Sequence, residues 1–135
     1  MTDIQLAKGV KDIEVEEKIQ VNRIVKITTE VFEKYGFNPL QTPILERYET
    51  LAAKYAGGSE ILKETFKLND QGSRDLALRY DLTVPLARYV AMNSNLRTPF
   101  KRYEIGEVFR DGPIKAGRYR QFTQFGVEIL NPSKD

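Results

Sequence analysis

The sequence contains no cysteine and no histidine. Disulfides are excluded, and so is a zinc site of the usual Cys/His kind. Nucleophilic catalysis by a Ser–His or Cys–His pair within the chain is excluded as well. Any metal would be a hard cation held by carboxylates or by a ligand's phosphates, magnesium first among them. Long apolar runs are also missing. No stretch approaches the ~20 apolar residues that span a bilayer, and the N-terminal MTDIQLAKGV lacks the apolar run of a signal peptide. The expectation is a cytoplasmic protein without a membrane partner. Neither sign of charge dominates: 21 basic and 19 acidic residues leave a net charge of +2. This neither demands nor forbids a nucleic-acid partner, because local patches decide such binding. Repeats, low-complexity tracts and Pro/Gly/Ser-rich linkers are absent, so the 135 residues read as one unit.

What is present is the composition of a soluble globular domain, 41% hydrophobic and 30% charged. Residues 12 to 35 predict a long amphipathic helix. Val21, Ile24, Thr28, Val31 and Tyr35 recur at three- and four-residue steps, joined by Val25 and Phe32. The apolar positions spread around enough of the helix to imply packing on two sides. Acidic residues crowd its first turns and Gly36 stands at its C-terminal cap. In the following FNPLQTPILE, Pro39 and Pro43 predict extended chain at a sheet edge. A short helix is expected over 47 to 56, ended by Gly57-Gly58. The YAGGSE stretch lacks the spacing of a phosphate-binding loop and reads as a turn.

Residues 64 to 68 and 75 to 79 predict a hairpin around the turn sequence NDQGSR. Thr83 opens a further helix to about Asn93, with Pro85 in its first turn, where proline is tolerated. A second hairpin is expected from residues 100 to 110 and 118 to 130, joined by DGPIKAG. Hairpins with a few interleaved helices predict an α+β fold, an antiparallel sheet with flanking helices.

Alternation along the second hairpin is informative. Its first arm places Arg102, Glu104, Gly106, Val108 and Arg110 on one face. Its second arm places Arg118, Arg120, Phe122, Gln124, Gly126 and Glu128 on one face. Antiparallel pairing could gather Arg110, Arg118, Arg120, Gln124 and Glu128 on one surface, with Gly106 and Gly126 leaving room for a ligand. Such a surface suits an anionic ligand with an adjacent amine, since guanidinium forks match phosphate or carboxylate oxygens. A solvated sheet face with cross-strand ion pairs fits the same pattern. Asp81 and Thr83, in RYDLT, are either a helix cap or polar groups turned to a pocket.

Three stretches together resemble one family. GVKDI, the long helix and YGFNPLQTPILE resemble the first class II motif of histidyl-tRNA synthetases, over about 12 to 46. LRYDLTVPLARYVA resembles the family's histidine-contact segment, at 79 to 91. FKRYEIGEVFRDGPIKAGRYRQFTQFGVEI resembles the second class II motif, at 100 to 130. The resemblance implies a partial class II aminoacyl-tRNA synthetase catalytic core and a homodimer. It implies ATP, with Mg2+, and L-histidine as substrates. Arg110 would bridge the α-phosphate and the amino-acid carboxylate and so be the catalytic residue. Arg118 would lie near the triphosphate and Phe122 would stack on adenine. Asp81, Thr83, Gln124 and Glu128 would contact histidine along with Arg110. In its full form the family activates histidine as the adenylate and transfers it to tRNA(His).

Two departures are visible. Gly112 stands where many class II enzymes carry a glutamate that reads the adenine amino group. The third motif and the anticodon-binding domain are absent from these residues. The implied reading is a fragment or truncated relative, inactive alone, exposing sheet edge and apolar surface and therefore prone to self-association. The alternative is a non-catalytic paralogue such as an ATP phosphoribosyltransferase regulatory subunit, a histidine-binding or dimerisation module. Retention of Arg110, Arg118, Gln124 and Glu128 together favours the synthetase.

Overall fold

A computed structural model of the chain describes residues 2–55 and 59–131. Helix α1 spans Val15–Lys34 and ends in a Schellman motif. Gly36, at φ +81°, donates its N–H to the Glu33 carbonyl, and Phe37 donates to the Phe32 carbonyl. The Phe32 and Phe37 rings close the motif at 6.3 Å. The predicted apolar stripe of α1 divides between two sides. Val21, Val25, Thr28 and Phe32 are half-buried, whereas Ile24, Val31 and Tyr35 are exposed together with Ile27. Phe32 packs on Tyr103, whose hydroxyl donates to Glu33 at 2.7 Å.

The next elements are β1 (Asn38–Pro39), β2 (Leu45–Arg47), α2 (Tyr48–Tyr55) and α3 (Ser59–Lys63). The proline-containing segment runs at sheet edges, as expected. The Gly57-Gly58 break and the middle of YAGGSE lie outside the described residues. Next come β3 (Lys67–Asn69), β4 (Asp75–Leu78), α4 (Thr83–Met92), β5 (Phe100–Phe109) and β6 (Gln121–Leu130). Two small sheets form, in the orders β1-β5-β6 and β2-β4-β3. All pairs are antiparallel except β1 with β5, a two-residue parallel contact where the chain returns from α1.

Three boundaries differ from the sequence expectation. The first hairpin starts later, at Lys67, because residues 64 and 65 follow α3 and Phe66 offers β4 only its carbonyl, which accepts from the Leu78 N–H at 3.0 Å. Arg79 lies just beyond β4, where its carbonyl accepts from the Phe109 N–H and caps the ladder of β5. Strand β6 starts at Gln121, not at residue 118, because Gly117 (φ +73°) turns the chain and Lys115 bridges Arg118 locally. The long ribbon brings together the faces that alternation predicts, and its register sets Arg102 opposite Glu128, Glu104 opposite Gly126, Gly106 opposite Gln124 and Val108 opposite Phe122.

Burial shows which ribbon face turns inward. Along β6, Phe122, Gln124, Gly126 and Glu128 are buried or half-buried, while Phe125, Val127 and Ile129 are exposed. The inner face is the polar one. An apolar core of Leu51, Ala77 and Val84, with Tyr48, Ile61 and Leu62 against it, joins α2, α3, β4 and α4. The start of α4 then rests on the ribbon, with Leu82 packed over Gly126.

Candidate ligand-binding site

The inner face of the ribbon has a closed end and an open end. At the closed end Arg102 is fully buried, with its Nη1 3.2 Å and its Nε 2.8 Å from the Glu104 and Glu128 carboxylates. Its Nη2 donates to the Leu82 carbonyl at 3.1 Å. Glu104 also accepts from the Thr42 N–H at 2.7 Å and pairs with buried Arg79 at 3.2 Å. Each buried charge meets an opposite charge or a backbone dipole, the condition for burying it at all.

This network overturns one expectation. Gly106 does not leave room for a ligand: a Cβ there would land on the Arg79 guanidinium. At Gly126 a Cβ would stand in ordinary contact, 3.5–3.6 Å, with Glu128, Arg102 and Leu82. Gly106 serves the packing of the protein's own Arg79.

Glu128 retains 30% side-chain exposure beside Arg102. Burial pushes its carboxyl above the ordinary glutamate range. Arg102 pulls it back and Glu104 pushes it further up. Four residues back along the same face, the Gln124 Oε1 is buried without a hydrogen-bond partner among the described residues. An unpaired buried acceptor costs about 1–3 kcal/mol, so a donor from a ligand or water is expected there.

Asp81 and Thr83 flank Leu82 at the start of α4. The Asp81 Oδ1 accepts from the backbone N–H of Thr83 at 3.0 Å and of Val84 at 2.9 Å, so the cap reading of Asp81 holds. Lys54 approaches its other oxygen at 4.0 Å. Thr83 is exposed.

At the open end Arg110, Gly117, Arg118, Tyr119 and Phe122 line a cleft of about 350 Å³. Three residues expected at the site thus meet in one place. The Arg110 guanidinium lies 4.4 Å from the Tyr80 ring centre and 4.9 Å from that of Phe122. Its Nε donates to the Tyr80 carbonyl at 3.3 Å. Arg118 pairs with Glu64 at 3.1 Å. Burial pushes the Tyr80 phenol up, although Arg110 opposes the shift.

Gln124 and Glu128 sit further along the same face. At about 3.4 Å per residue, Phe122 and Glu128 are roughly 20 Å apart along the strand. Arg120, grouped with the site by alternation, is elsewhere: its N–H donates to the Gly9 carbonyl at 2.8 Å and its guanidinium meets Asp111 at 3.4 Å. It ties the N-terminal segment to the hairpin.

Sequence reasoning passed over Tyr80 and Glu64. Tyr80 adjoins Asp81 in RYDLT, and an aromatic beside an arginine-rich hairpin was the available signal. Glu64 gave none, because it reads as part of a strand. A larger cleft of about 580 Å³ lies beside β4, lined by Arg47, Tyr48, Glu49, Arg74, Asp75 and Leu76. Its arginines are already paired, Arg47 with Glu49 and Arg74 with Asp70, both at 2.6 Å.

Comparison with known proteins gives a consistent picture. A family model described as histidyl-tRNA synthetase matches residues 9–134. The chain is 57% identical over 130 residues to histidine–tRNA ligase 1 of Bacillus cereus, covering 96% of this chain and 30% of that protein. It is 48% identical over 123 residues to histidine–tRNA ligase of Wolinella succinogenes, covering 90% of this chain and 27% of that protein. Among solved structures, histidyl-tRNA synthetase from Nostoc sp. PCC 7120 superposes with a TM-score of 0.82 at 33% identity, over 98% of this chain and 30% of that one. A Bacillus halodurans protein described as an ATP phosphoribosyltransferase regulatory subunit/histidyl-tRNA synthetase gives a TM-score of 0.82 at 28% identity, over 99% of this chain and 35% of that one. The chain spans about a third of the length of these relatives.

Proposed function

The chain belongs to the histidyl-tRNA synthetase family, and from that premise we propose that the inner face of its ribbon is the floor for ATP and L-histidine in a histidine–tRNA ligase. The observation that carries this reading is the cleft shared by Arg110, Arg118 and Phe122. Arg110 would reach the α-phosphate and the amino-acid carboxylate, and Arg118 the outer phosphates. Phe122, whose ring now carries Arg110, would stack the base as Arg110 turns to phosphate. Gln124 and Glu128 would meet the histidine side chain, and Asp81 and Thr83 its amino group.

Adenylate formation needs no protein nucleophile. The amino-acid carboxylate attacks the α-phosphorus and pyrophosphate leaves. A fixed positive charge at Arg110 would stabilise the negative charge that grows there, and the floor would align the two reactants. Among the described residues no cluster of three carboxylates gathers to hold a metal ion. Magnesium therefore enters this reading as a companion of the nucleotide's phosphates. Transfer to tRNA(His) is assigned to the whole protein of the family, as are the third motif and the anticodon-binding domain.

The same reading makes α1 and the segment after it a homodimer face. Support comes from α1 itself, which has no buried residue and exposes Ile19, Ile24, Ile27 and Val31. No helix among the described residues is long and apolar enough to cross a membrane. Sedimentation as a strict monomer would count against the dimer.

A second reading, a histidine-binding regulatory subunit, draws on the Bacillus halodurans neighbour, whose description names both roles. Retention of Arg110, Arg118, Gln124 and Glu128 favours the ligase.

The test is a calorimetric titration of L-histidine into this chain, with and without Mg-ATP, beside Gln124→Ala. Saturable binding is expected, weakened about tenfold or more by loss of the amide. Absence of heat under every condition overturns the ligand-floor reading. Histidine binding indifferent to ATP, with no ATP binding, moves the choice to the regulatory subunit.

A further inference from the structure

A carboxylate stands beside the arginine cleft, and the nucleotide reading gives it no task. Glu64 follows α3. Its side chain, 22% exposed, lies 3.1 and 3.2 Å from the Arg118 Nη2 and accepts from the Tyr80 hydroxyl at 3.2 Å. Its backbone carbonyl accepts from the Asp111 N–H at 2.7 Å, directly after Arg110. By Coulomb's law alone, a negative group here opposes an incoming anion.

Three features give Glu64 a different role. Tyr80 links it to the second arginine: the hydroxyl is held by Glu64, the ring carries the Arg110 guanidinium, and the carbonyl accepts from the Arg110 Nε. Burial raises the Tyr80 phenol, which keeps it a donor. Finally, Gly112 makes the space. A Cβ at 112 would come within 2.9 to 3.1 Å of the Glu64 carboxylate atoms. The glycine after Arg110 and Asp111 is therefore what admits the glutamate.

We propose that Glu64 is a positioning residue of the cleft: its carboxylate holds Arg118 directly and Arg110 through Tyr80, so that both guanidinium groups face one anionic ligand. This deepens the nucleotide reading and rests on it for the identity of that ligand, not for the geometry.

The test uses the 135-residue chain and two variants. Glu64→Gln removes the charge with little change of shape. Gly112→Ala keeps the carboxylate but displaces it, and it carries the test if Glu64→Gln does not fold. Arginine side-chain 15N–1H resonances are recorded first without ligand. Both variants should shift the Nε–H signals of Arg118 and Arg110 and leave that of Arg102 in place. An unmoved Arg110 signal in Glu64→Gln overturns the proposal, because that variant keeps the backbone bond to Asp111 and changes only the carboxylate that begins the relay through Tyr80.

ATP, adenosine and inorganic pyrophosphate are then titrated. Positioning predicts that Glu64→Gln weakens ATP and pyrophosphate about tenfold, the scale of one charge-assisted hydrogen bond, and leaves adenosine nearly unchanged. Unchanged or tighter ATP binding overturns the proposal in favour of simple repulsion. Equal losses for ATP and adenosine overturn it in favour of a general structural role. If the unmodified chain binds pyrophosphate but neither ATP nor adenosine, the nucleotide reading fails while the pyrophosphate and resonance data still decide the role of Glu64. If it binds none of the three, the resonances decide alone.

Discussion

At the closed end of the ribbon, Arg102 and Arg79 are almost wholly buried and share Glu104, with Glu128 beside Arg102. At the turn end, Arg110 and Arg118 edge a cleft, resting on aromatic rings and on partly exposed Glu64. The same residue type serves opposite purposes some eight positions apart. Register explains the difference. Within the ladder, Arg102 faces Glu128 across the strands, so its charge is cancelled on the spot. The ladder ends at the Phe109–Gln121 pair. Beyond it Arg110 has no cross-strand carboxylate, and among the described residues it has no ion pair. Its charge rests on the Tyr80 and Phe122 rings at the edge of the cleft.

The largest effect that would break this contrast belongs to Glu104. Glu104→Gln leaves Arg79 and Arg102 buried with less compensation, and breaking a buried pair costs about 3–5 kcal/mol. Urea unfolding should show a large fall in midpoint, since domains hold only about 5–15 kcal/mol in total. A loss below about 1 kcal/mol would mean that the closed end is not what holds the ribbon.

Two glycines sharpen the same contrast. Gly106→Ala drives a methyl into the Arg79 guanidinium, which is pinned by the Glu107 carbonyl at 2.7 Å and the Thr42 carbonyl at 2.9 Å. Overpacking of this kind costs about 1–3 kcal/mol. Gly112→Ala meets only the end of a partly exposed glutamate, which can swing away. Its unfolding free energy should change by less than about 1 kcal/mol. Equal costs at the two positions would erase the distinction between a locked and a yielding end.

This pair also marks what the sequence could convey. Alternation put Arg102, Glu104, Gly106 and Val108 on one face with Glu128, Gly126, Gln124 and Phe122, but a period of two fixes only the face; which residue stands opposite which is set where the strands pair. It could not say which face turns inward, since that depends on α4 and Leu82 closing over Gly126 from elsewhere in the chain. Nor could it say what fills a glycine's space. Gly106 reads as room for a ligand and is filled by Arg79. Extending the strand through residues 118 to 120 was the natural error, because Gly117 ends it by backbone conformation and not by polarity. Glu64 was invisible for a related reason. Its partners, Tyr80, Asp111, Gly112 and Arg118, converge on it only after two separate hairpins have formed.

At the open end, Arg110→Ala should separate binding from stability. It removes two cation–π contacts, each worth about 0.5–1 kcal/mol at a partly exposed site, so stability falls by no more than about 1–2 kcal/mol. Affinity for pyrophosphate or ATP should fall about tenfold or more. Arg110→Lys should recover only part of this, because an ammonium is not a planar fork. Full recovery by lysine would make the site a general electrostatic one.

The smallest effect lies at the partly exposed margin of the closed end, at Glu128. Its folded-state carboxyl titrates above the ordinary glutamate range, chiefly because burial disfavours the charge and in spite of Arg102 beside it. Below that range the folded and unfolded chains both carry the proton, and the contribution to stability is fully present. As pH rises, the unfolded chain ionises first while the folded chain keeps its proton. The contribution is therefore lost as pH climbs through the raised folded value. Glu128→Gln cannot titrate. The difference in unfolding free energy between the two proteins should thus drift in favour of the glutamine variant across this acid window and level off beyond it. Urea titrations at several pH values test it, and other carboxylates cancel in the difference. Parallel profiles would place Glu128 with the open end, solvated and indifferent to folding; an opposite drift would mean that Arg102 outweighs burial and that the closed network extends fully to this residue.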